Sequence, residues 1–470
     1  MSGKTEDGRT DPGGQRWPRR RVLRWALGLV PVAAAGGWAS FKWLDQRERR
    51  VEEDGEGPED GWEVEGGRAL KGGPTGKTQS PEEWAALLTR QAATYCFLGY
   101  ASASPKLNLA LKAVPSHAPA RLMYACWYMH KGNGKLARSL LSDASVRDTL
   151  EARFLLELAE RRTQAPDWTQ AFFDAWKALG RPDFSKSVLL PEPLQWNHVM
   201  LETYTRSPEN DAWRLPMAVL SPGFAEQERQ WVLEQVRACS SVPLLMAFRE
   251  HLSSLEEQEP PRLSLLPAVR ERLAQLVGPS PKTLQLALAF FLADTPPTVP
   301  FSRRDLEALE TLVALREWKQ PSSESFYREV RELVDVLYAP GHHAWALATF
   351  AQGVSLGVLL LQRARNSKAH LTEDEQRWMG RLLWEVGARL REQPSRLELE
   401  TGLRLQMFGS ELTQHSPSRS DCIALWGKLG QWEQAVKQAA FYRWPLAPLH
   451  EESCASRARD ELEWMRSFAA

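Results

Sequence analysis

The 470-residue sequence lacks an excess of either charge: 59 Lys and Arg stand against 59 Asp and Glu, for a formal net charge of zero. That balance excludes a protein whose affinity comes from nucleic-acid phosphates, which demands a basic excess. Cysteine is scarce as well, with five residues at Cys96, Cys126, Cys239, Cys422 and Cys454. They are odd in number and form no C-x-x-C pair, which excludes a disulfide-dense scaffold and any zinc knuckle readable from spacing. Buried free thiols are expected, with one bridged pair as the alternative in an oxidising compartment. Lysine is rare beside arginine, 15 against 44, a bias read as genomic rather than functional. No run of alternating apolar and polar residues bounded by hairpin turns is present, so strands are not expected. What remains is ordinary globular material, 43% apolar and 25% charged, with a surplus of tryptophan at 20 residues. It is long enough for two or three domains' worth of core.

The neutrality is a sum of unlike segments. Residues 1–44 carry a net charge of +5, residues 45–80 carry −4, and the rest is close to neutral. Within the first segment, Trp25 to Phe41 is uncharged and bracketed by Arg24 and Lys42. Its length reaches the lower limit for crossing a ~30 Å hydrocarbon core, and Trp25, Trp38 and Trp43 sit near its ends, where indoles favour the headgroup region. Basic residues dominate its N-terminal side, so residues 1–21 are expected in the cytoplasm, 22–44 as a single transmembrane or signal-anchor helix, and the remainder outside. The run Arg19-Arg20-Arg21-Val22-Leu23-Arg24 resembles a twin-arginine export signal, departing from it at Pro18 and Val22. Ala33-Ala34-Ala35 offers a small-residue cleavage site, so export after cleavage is the alternative to an uncleaved anchor.

Residues 45–80 hold eight glycines and no apolar period, and such a segment is expected to be a disordered acidic tether. Gly72-Gly73-Pro74-Thr75-Gly76-Lys77-Thr78 imitates a phosphate-binding loop, but Lys71 stands where its first glycine belongs and no apolar strand leads in. Nucleotide binding is not expected there.

From Ser80 onward the pattern predicts an all-α protein. Ser80 with Glu83, Thr372 with Glu375 and Ser395 with Glu398 read as capping boxes, and Ser302 with Asp305 as a weaker one. Phe326, Val330, Leu333, Val334 and Leu337 share one helical face, as do Trp378, Leu382, Val386 and Leu390. Proline clusters at 191–193, 216–222, 260–267 and 296–300 are expected to divide the helices into pairs.

Two pairs of alanines, Ala125 with Ala159 and Ala137 with Ala171, lie 34 residues apart. With Tyr128, the turn glycine Gly132, Ala175, Ala178 and Pro182, this text resembles the tetratricopeptide repeat, whose period is 34. Pro166 stands where the second copy would carry glycine. Trp426, Gly430, Trp432, Ala435 and Ala439 resemble the motif again, and residues 95–115 read as a degenerate first hairpin. The resemblance implies an α-solenoid of helical hairpins whose surface takes a protein or peptide partner. It divides the helical part into tetratricopeptide-like hairpins over 81–190, an irregular helical region over 191–415 and a C-terminal hairpin over 416–470. Trp168, Trp176, Trp426 and Trp432 are expected as wedges between helices.

Catalytic motifs are weak. Gly353-Val354-Ser355-Leu356-Gly357 satisfies G-x-S-x-G, and Asp421 and His450 follow in hydrolase order. However, Ala344 to Leu361 reads as one continuous apolar core helix rather than a strand-to-helix elbow or a second membrane span. His342-His343 are adjacent, a poor metal pair, and are expected to cap a helix or face solvent. Carboxylates, as in Glu329–Asp335 and Arg459–Arg466, read as helix-surface charge. No catalytic, cofactor-binding or metal-ligating residue is expected, and no cofactor. The sequence therefore points to a non-enzymatic, membrane-anchored scaffold in the cell envelope that binds no nucleic acid. The alternative is an exported enzyme on an α/α scaffold with a pocket lined by tryptophans and carboxylates.

Overall fold

The computed structural model describes residues 80–97, 102–191, 212–220, 226–255, 258–293, 295–337, 339–414 and 416–469. The anchor, the tether and the loop-like glycine run lie outside them. Every regular element among the described residues is helical, and all of them belong to one compact unit.

Three helix pairs open the chain: α1 (Pro81–Phe97) with α2 (Ala103–Ala113), α3 (Ala118–His130) with α4 (Gly134–Leu141), and α5 (Leu150–Arg161) with α6 (Trp168–Ala178). Their starts are written locally. Ser80 and Glu83 close a reciprocal capping box, the Ser80 Oγ accepting from the Glu83 amide at 3.2 Å and Glu83 Oε2 from the Ser80 amide at 2.9 Å. Asn133, Thr149 and Asp167 cap α4, α5 and α6 through side-chain oxygens. Gly132 supplies the left-handed φ of +73° that turns α3 into α4. Each pair packs on itself, and α1 also packs on α3, and α3 on α5.

The chain then runs through α7 (Arg214–Leu220), α8 (Glu226–Ala238), α9 (Val242–Ser254), α10 (Pro260–Val277), α11 (Leu284–Phe291), α12 (Arg303–Val313), α13 (Ser323–Leu333), α14 (Pro340–Phe350) and α15 (Val354–Ser367). It ends with α16 (Glu373–Arg391), α17 (Arg396–Thr413), α18 (Ser416–Gln438) and α19 (Ala447–Ala469). The most extensive pairing in the molecule joins α16 to α17.

Two apolar cores result. One is built from α7 to α16, part of α17, and Cys454 and Ala458 of α19. The other unites the three opening hairpins with the far end of the chain: Phe154, Phe172 and Phe184 share it with Phe441, Trp444, Trp464 and Phe468. There Phe154 lies 4.5 Å from Trp444, and Phe173 lies 4.6 Å from Phe468, ring centre to ring centre. Helix α19 contributes to both cores. It is bent where Asp460 leaves helical geometry at φ −153° and ψ 94°.

Several expectations are corrected. Gly430 does not turn the chain: α18 runs through it as one helix over 416–438, and the helix that packs on it, α19, begins only at Ala447. A Cβ at Gly430 would meet nothing within 4 Å, so no close approach needs the glycine there. The helix tolerates its cost of about 1 kcal/mol because Leu429, Ala435 and Val436 are buried on either side. The apolar stretch 344–361 is not continuous either. Gly353, left-handed at φ +64°, separates α14 from α15. The longer segment Pro340–His370 is apolar enough to pass for a membrane span, but 56% of its most apolar window is buried in the protein. Pro267 lies inside α10 rather than ending it; burial of Leu265, Leu266, Val269 and Leu273 holds the helix across the lost hydrogen bond. Finally, α13 stops at Leu333, which is exposed, and Val334 and Leu337 are buried from the turn beyond it.

Candidate functional site

The chemistry-bearing side chains gather along α17 and α19, where the two cores adjoin. Ser395 caps α17, accepting from the Glu398 amide at 3.3 Å and donating to Gln352 Oε1 at 2.8 Å. Glu398 does not reach back to complete the expected box. Its Oε1 instead accepts from the Lys319 ammonium at 2.5 Å and the Trp318 indole at 3.0 Å, while its Oε2 is buried without a partner. Burial pushes the Glu398 carboxyl up, opposed by Lys319. One turn away, Arg396 pairs with Glu433 of α18 at 2.6 Å and approaches Glu400 at 3.7 Å, and its amide donates to Glu461 Oε2 at 3.1 Å. Glu461 in turn holds Arg457 at 2.6 Å, and the Arg457 guanidinium lies 3.8 Å from the centre of the Trp345 ring.

These groups are nearly all below a tenth exposed, and the charges balance once Arg404, 3.6 Å from Glu400, is included: Lys319, Arg396, Arg404 and Arg457 against Glu398, Glu400, Glu433 and Glu461. Such a network binds helices to one another and offers no net charge to a ligand. Glu461 belongs to the run read as surface charge, so that reading is corrected; the exposed charges around Arg331 keep it. Sequence offered no signal for the network, because its members look like any other helical Glu and Arg.

The G-x-S-x-G residues have a structural occupation. Ser355 donates from its amide to Glu250 Oε1 at 2.7 Å and from its hydroxyl to Glu250 Oε2 at 2.6 Å. The carboxylate thus caps the start of α15, where the exposed backbone N–H groups and the helix dipole favour an anion. The group that meets the Ser355 hydroxyl is therefore a carboxylate that also holds the Ser355 amide, not the histidine that the G-x-S-x-G chemistry requires. Asp421 is exposed, and His450 bonds the Trp444 carbonyl through Nε2 at 2.6 Å. The structure does not bring these three together. Gly357 serves close packing: a Cβ there would lie inside contact distance of Thr401 on α17.

The glycines that matter most escaped notice. Gly380 and Gly387 of α16 face Gly409 and Gly402 of α17, and a Cβ on Gly387 or Gly402 would stand 2.6 Å from the opposite glycine's carbonyl oxygen. A readable signal existed, since glycine recurs with a seven-residue step in both helices.

The cysteines are free, and Cys96, Cys126, Cys422 and Cys454 are buried; burial pushes their thiols up, away from thiolate chemistry. His342 and His343 are neither caps nor solvated. Burial holds both below the usual imidazole range, His343 at about 4. Among the expected tryptophan wedges, Trp176 is buried, whereas Trp168, Trp426 and Trp432 are half-buried beneath Arg162, Arg404 and Arg466. No cluster of His, Cys, Asp and Glu among the described residues could hold a metal ion.

The opening hairpins present a different surface. Tyr124, Trp127 and Tyr128 form an aromatic group on α3, with Tyr124 and Tyr128 stacked at 4.6 Å. The Tyr128 hydroxyl donates to that of Tyr124 at 3.2 Å, and Tyr124 is bonded to Ser104 of α2 at 3.1 Å. Beside them on α4, Leu136 is 44% exposed. Compared with models of protein families, with curated proteins and with solved structures, the chain matches none.

Proposed function

We propose that this chain is a membrane-tethered helical-repeat scaffold or adaptor that binds protein or peptide partners in the cell envelope. The observation that carries the reading is the stacking of the opening hairpins: the first helix of each packs on the first helix of the next, through α1, α3 and α5. Nearest-neighbour stacking of helical pairs is the construction of an α-solenoid, whose repeated outward faces serve as docking surfaces. In this reading the tetratricopeptide-like part is residues 81–190. Residues 22–44 hold the chain in the inner membrane with the N-terminus cytoplasmic, and residues 45–80 let the domain reach its partner. The burial of the reactive groups, with the G-x-S-x-G serine committed to Glu250, favours binding over catalysis.

Two experiments test this. A reporter active only in the cytoplasm, fused after residue 80, is expected to be silent, and its activity would overturn the topology. A photo-crosslinking residue at Leu136 or Lys135 is expected to give discrete protein adducts in living cells. The same residue at Val188, 87% exposed in the segment that follows α6, is expected to give none. Equal labelling at all three positions, or none anywhere, would sink the scaffold reading.

A further inference from the structure

Two imidazoles meet where the end of α1, the start of α14 and the start of α19 converge. The Phe97 ring of α1 lies 3.9 Å from the His450 ring and 4.8 Å from the His342 ring, and the two imidazoles are 6.0 Å apart, centre to centre. His450 is fully buried. Its Nε2 must carry the hydrogen, because the Trp444 carbonyl it meets at 2.6 Å can only accept. The bare Nδ1 is therefore the atom a proton would take, and it is buried without a partner.

We propose that this joint is an acid-sensitive latch: protonation of His450 and His342 releases the end of α1 from the starts of α14 and α19. The device goes beyond the scaffold reading.

The surroundings decide the direction. From α19, Arg457 raises the cost of a proton on either imidazole, and Cys454 Sγ lies 3.6 Å from His342 Nδ1. From α14, His343 adds a third imidazole beside His342. The nearest acid, Glu451 of α19, is held by the Gly341 amide at 2.8 Å and lies 3.9 Å from Arg331 of α13; Tyr327 and Asp335 also face Glu451. Phe441 covers His450 from the turn after α18 at 5.4 Å, and α1 contributes the phenyl ring.

A proton thus arrives among apolar rings and a cation, and its cost is relieved when the joint opens to water. Burial holds His450 down at about 3 against 6.5 for a solvated imidazole. At pH 4.5 that one residue favours the open joint by about a hundredfold.

Hydrogen exchange of the full chain at pH 7.5, 6.0 and 4.5, corrected for intrinsic exchange, tests the latch. Peptides from α1 and the first turns of α14 and α19 are expected to lose protection reversibly by at least tenfold between pH 6.0 and 4.5, while α16 and α17 keep theirs. A double variant, His342→Asn with His450→Gln, keeps a donor for Trp444 and an acceptor for Cys454 but does not titrate. Its α1 peptide and the start of α19 are expected to hold their protection at pH 4.5, while His343 still titrates at the start of α14. Loss of protection everywhere at once, or the same acid opening in a folded double variant, would overturn the proposal. Should that variant not fold, the histidine ring signals of the native chain decide. Signals that titrate near pH 6.5 with no gain in exchange sink the latch, and neutrality held below pH 5.5 until the joint opens supports it.

Discussion

Between residues 80 and 220 the described residues bury a single polar side chain, Thr89, whereas from Arg249 onward twenty-two are buried. The opening hairpins are joined mainly by alanine, leucine and aromatic rings, with polar contacts at their edges, where Tyr124 meets Ser104, Arg121 meets Asp143 and Glu452 of α19 meets the start of α6. The later helices are joined by specific buried polar contacts: Glu250 to Ser355, Glu398 to Lys319, Arg396 to Glu433, and the Arg396 amide to Glu461. An apolar seam tolerates exchange of one hydrophobic residue for another. A buried ion pair tolerates almost nothing, because a lost partner leaves a charge stranded in low dielectric. The difference separates a core that can be repacked from one that fixes a single arrangement.

The comparison can be broken where the effects are largest. Glu433→Met is expected to cost about 3–5 kcal/mol by stranding Arg396, and Phe154→Ala a similar amount by opening a cavity in the aromatic core. Denaturant melts then separate them. Adding Arg396→Met to Glu433→Met should recover most of the loss, while no second polar change rescues Phe154→Ala. If the double methionine variant stays as unstable as the single, the network is not what joins the later helices.

Next comes the glycine seam. Gly387→Ala must push α16 from α17 and is expected to cost about 3 kcal/mol, whereas Gly430→Ala, facing open space, should gain about 0.5–1 kcal/mol by helix propensity. Thermal melts moving in the same direction for both would remove the distinction between a contact glycine and an incidental one.

Acid sharpens the contrast further. His251 and His343, each held at about 4 by burial, stay neutral in the fold, while the unfolded chain takes their protons near pH 6.5. Their stabilisation is complete above pH 6.5 and declines by about 1.4 kcal/mol per pH unit for each imidazole as pH falls toward 4. His117 and His130 of the hairpins are only half-buried, so the fall should be carried by the later helices. A His251→Gln variant is expected to flatten the stability-against-pH curve, and His117→Gln to leave it almost unchanged.

Ser355→Ala keeps the amide bond to Glu250 and removes only the hydroxyl bond, at an expected cost of about 1–2 kcal/mol in a denaturant melt.

Helix class and helix starts were legible because their signals are local. Ser80, Thr372 and Ser302 cap where the residues three places on say they should. Gly430 misled because a glycine between tryptophans carries the same letters whether the chain turns or continues, and only burial of the flanking residues decides. The charged network was illegible for another reason. Arg396 meets Glu461 across 65 positions, and nothing in the local text of Arg459–Arg466 separates a surface carboxylate from a buried one. His342 and His343 were misjudged alike, since their burial depends on a helix more than a hundred residues away.

One feature of the hairpin core has a consequence in time. Its walls include Phe172 and Phe173 near the beginning of the helical domain, and Trp464 and Phe468 at the end. Contacts across that sequence separation cannot form while the chain is still being made, and they delay folding even afterward. The first hairpins to leave the ribosome are therefore the last to be sealed, and they stay partly exposed until the final turn of α19 arrives. A chain truncated by ten residues would have all three hairpins and still lack the ring cluster that closes them.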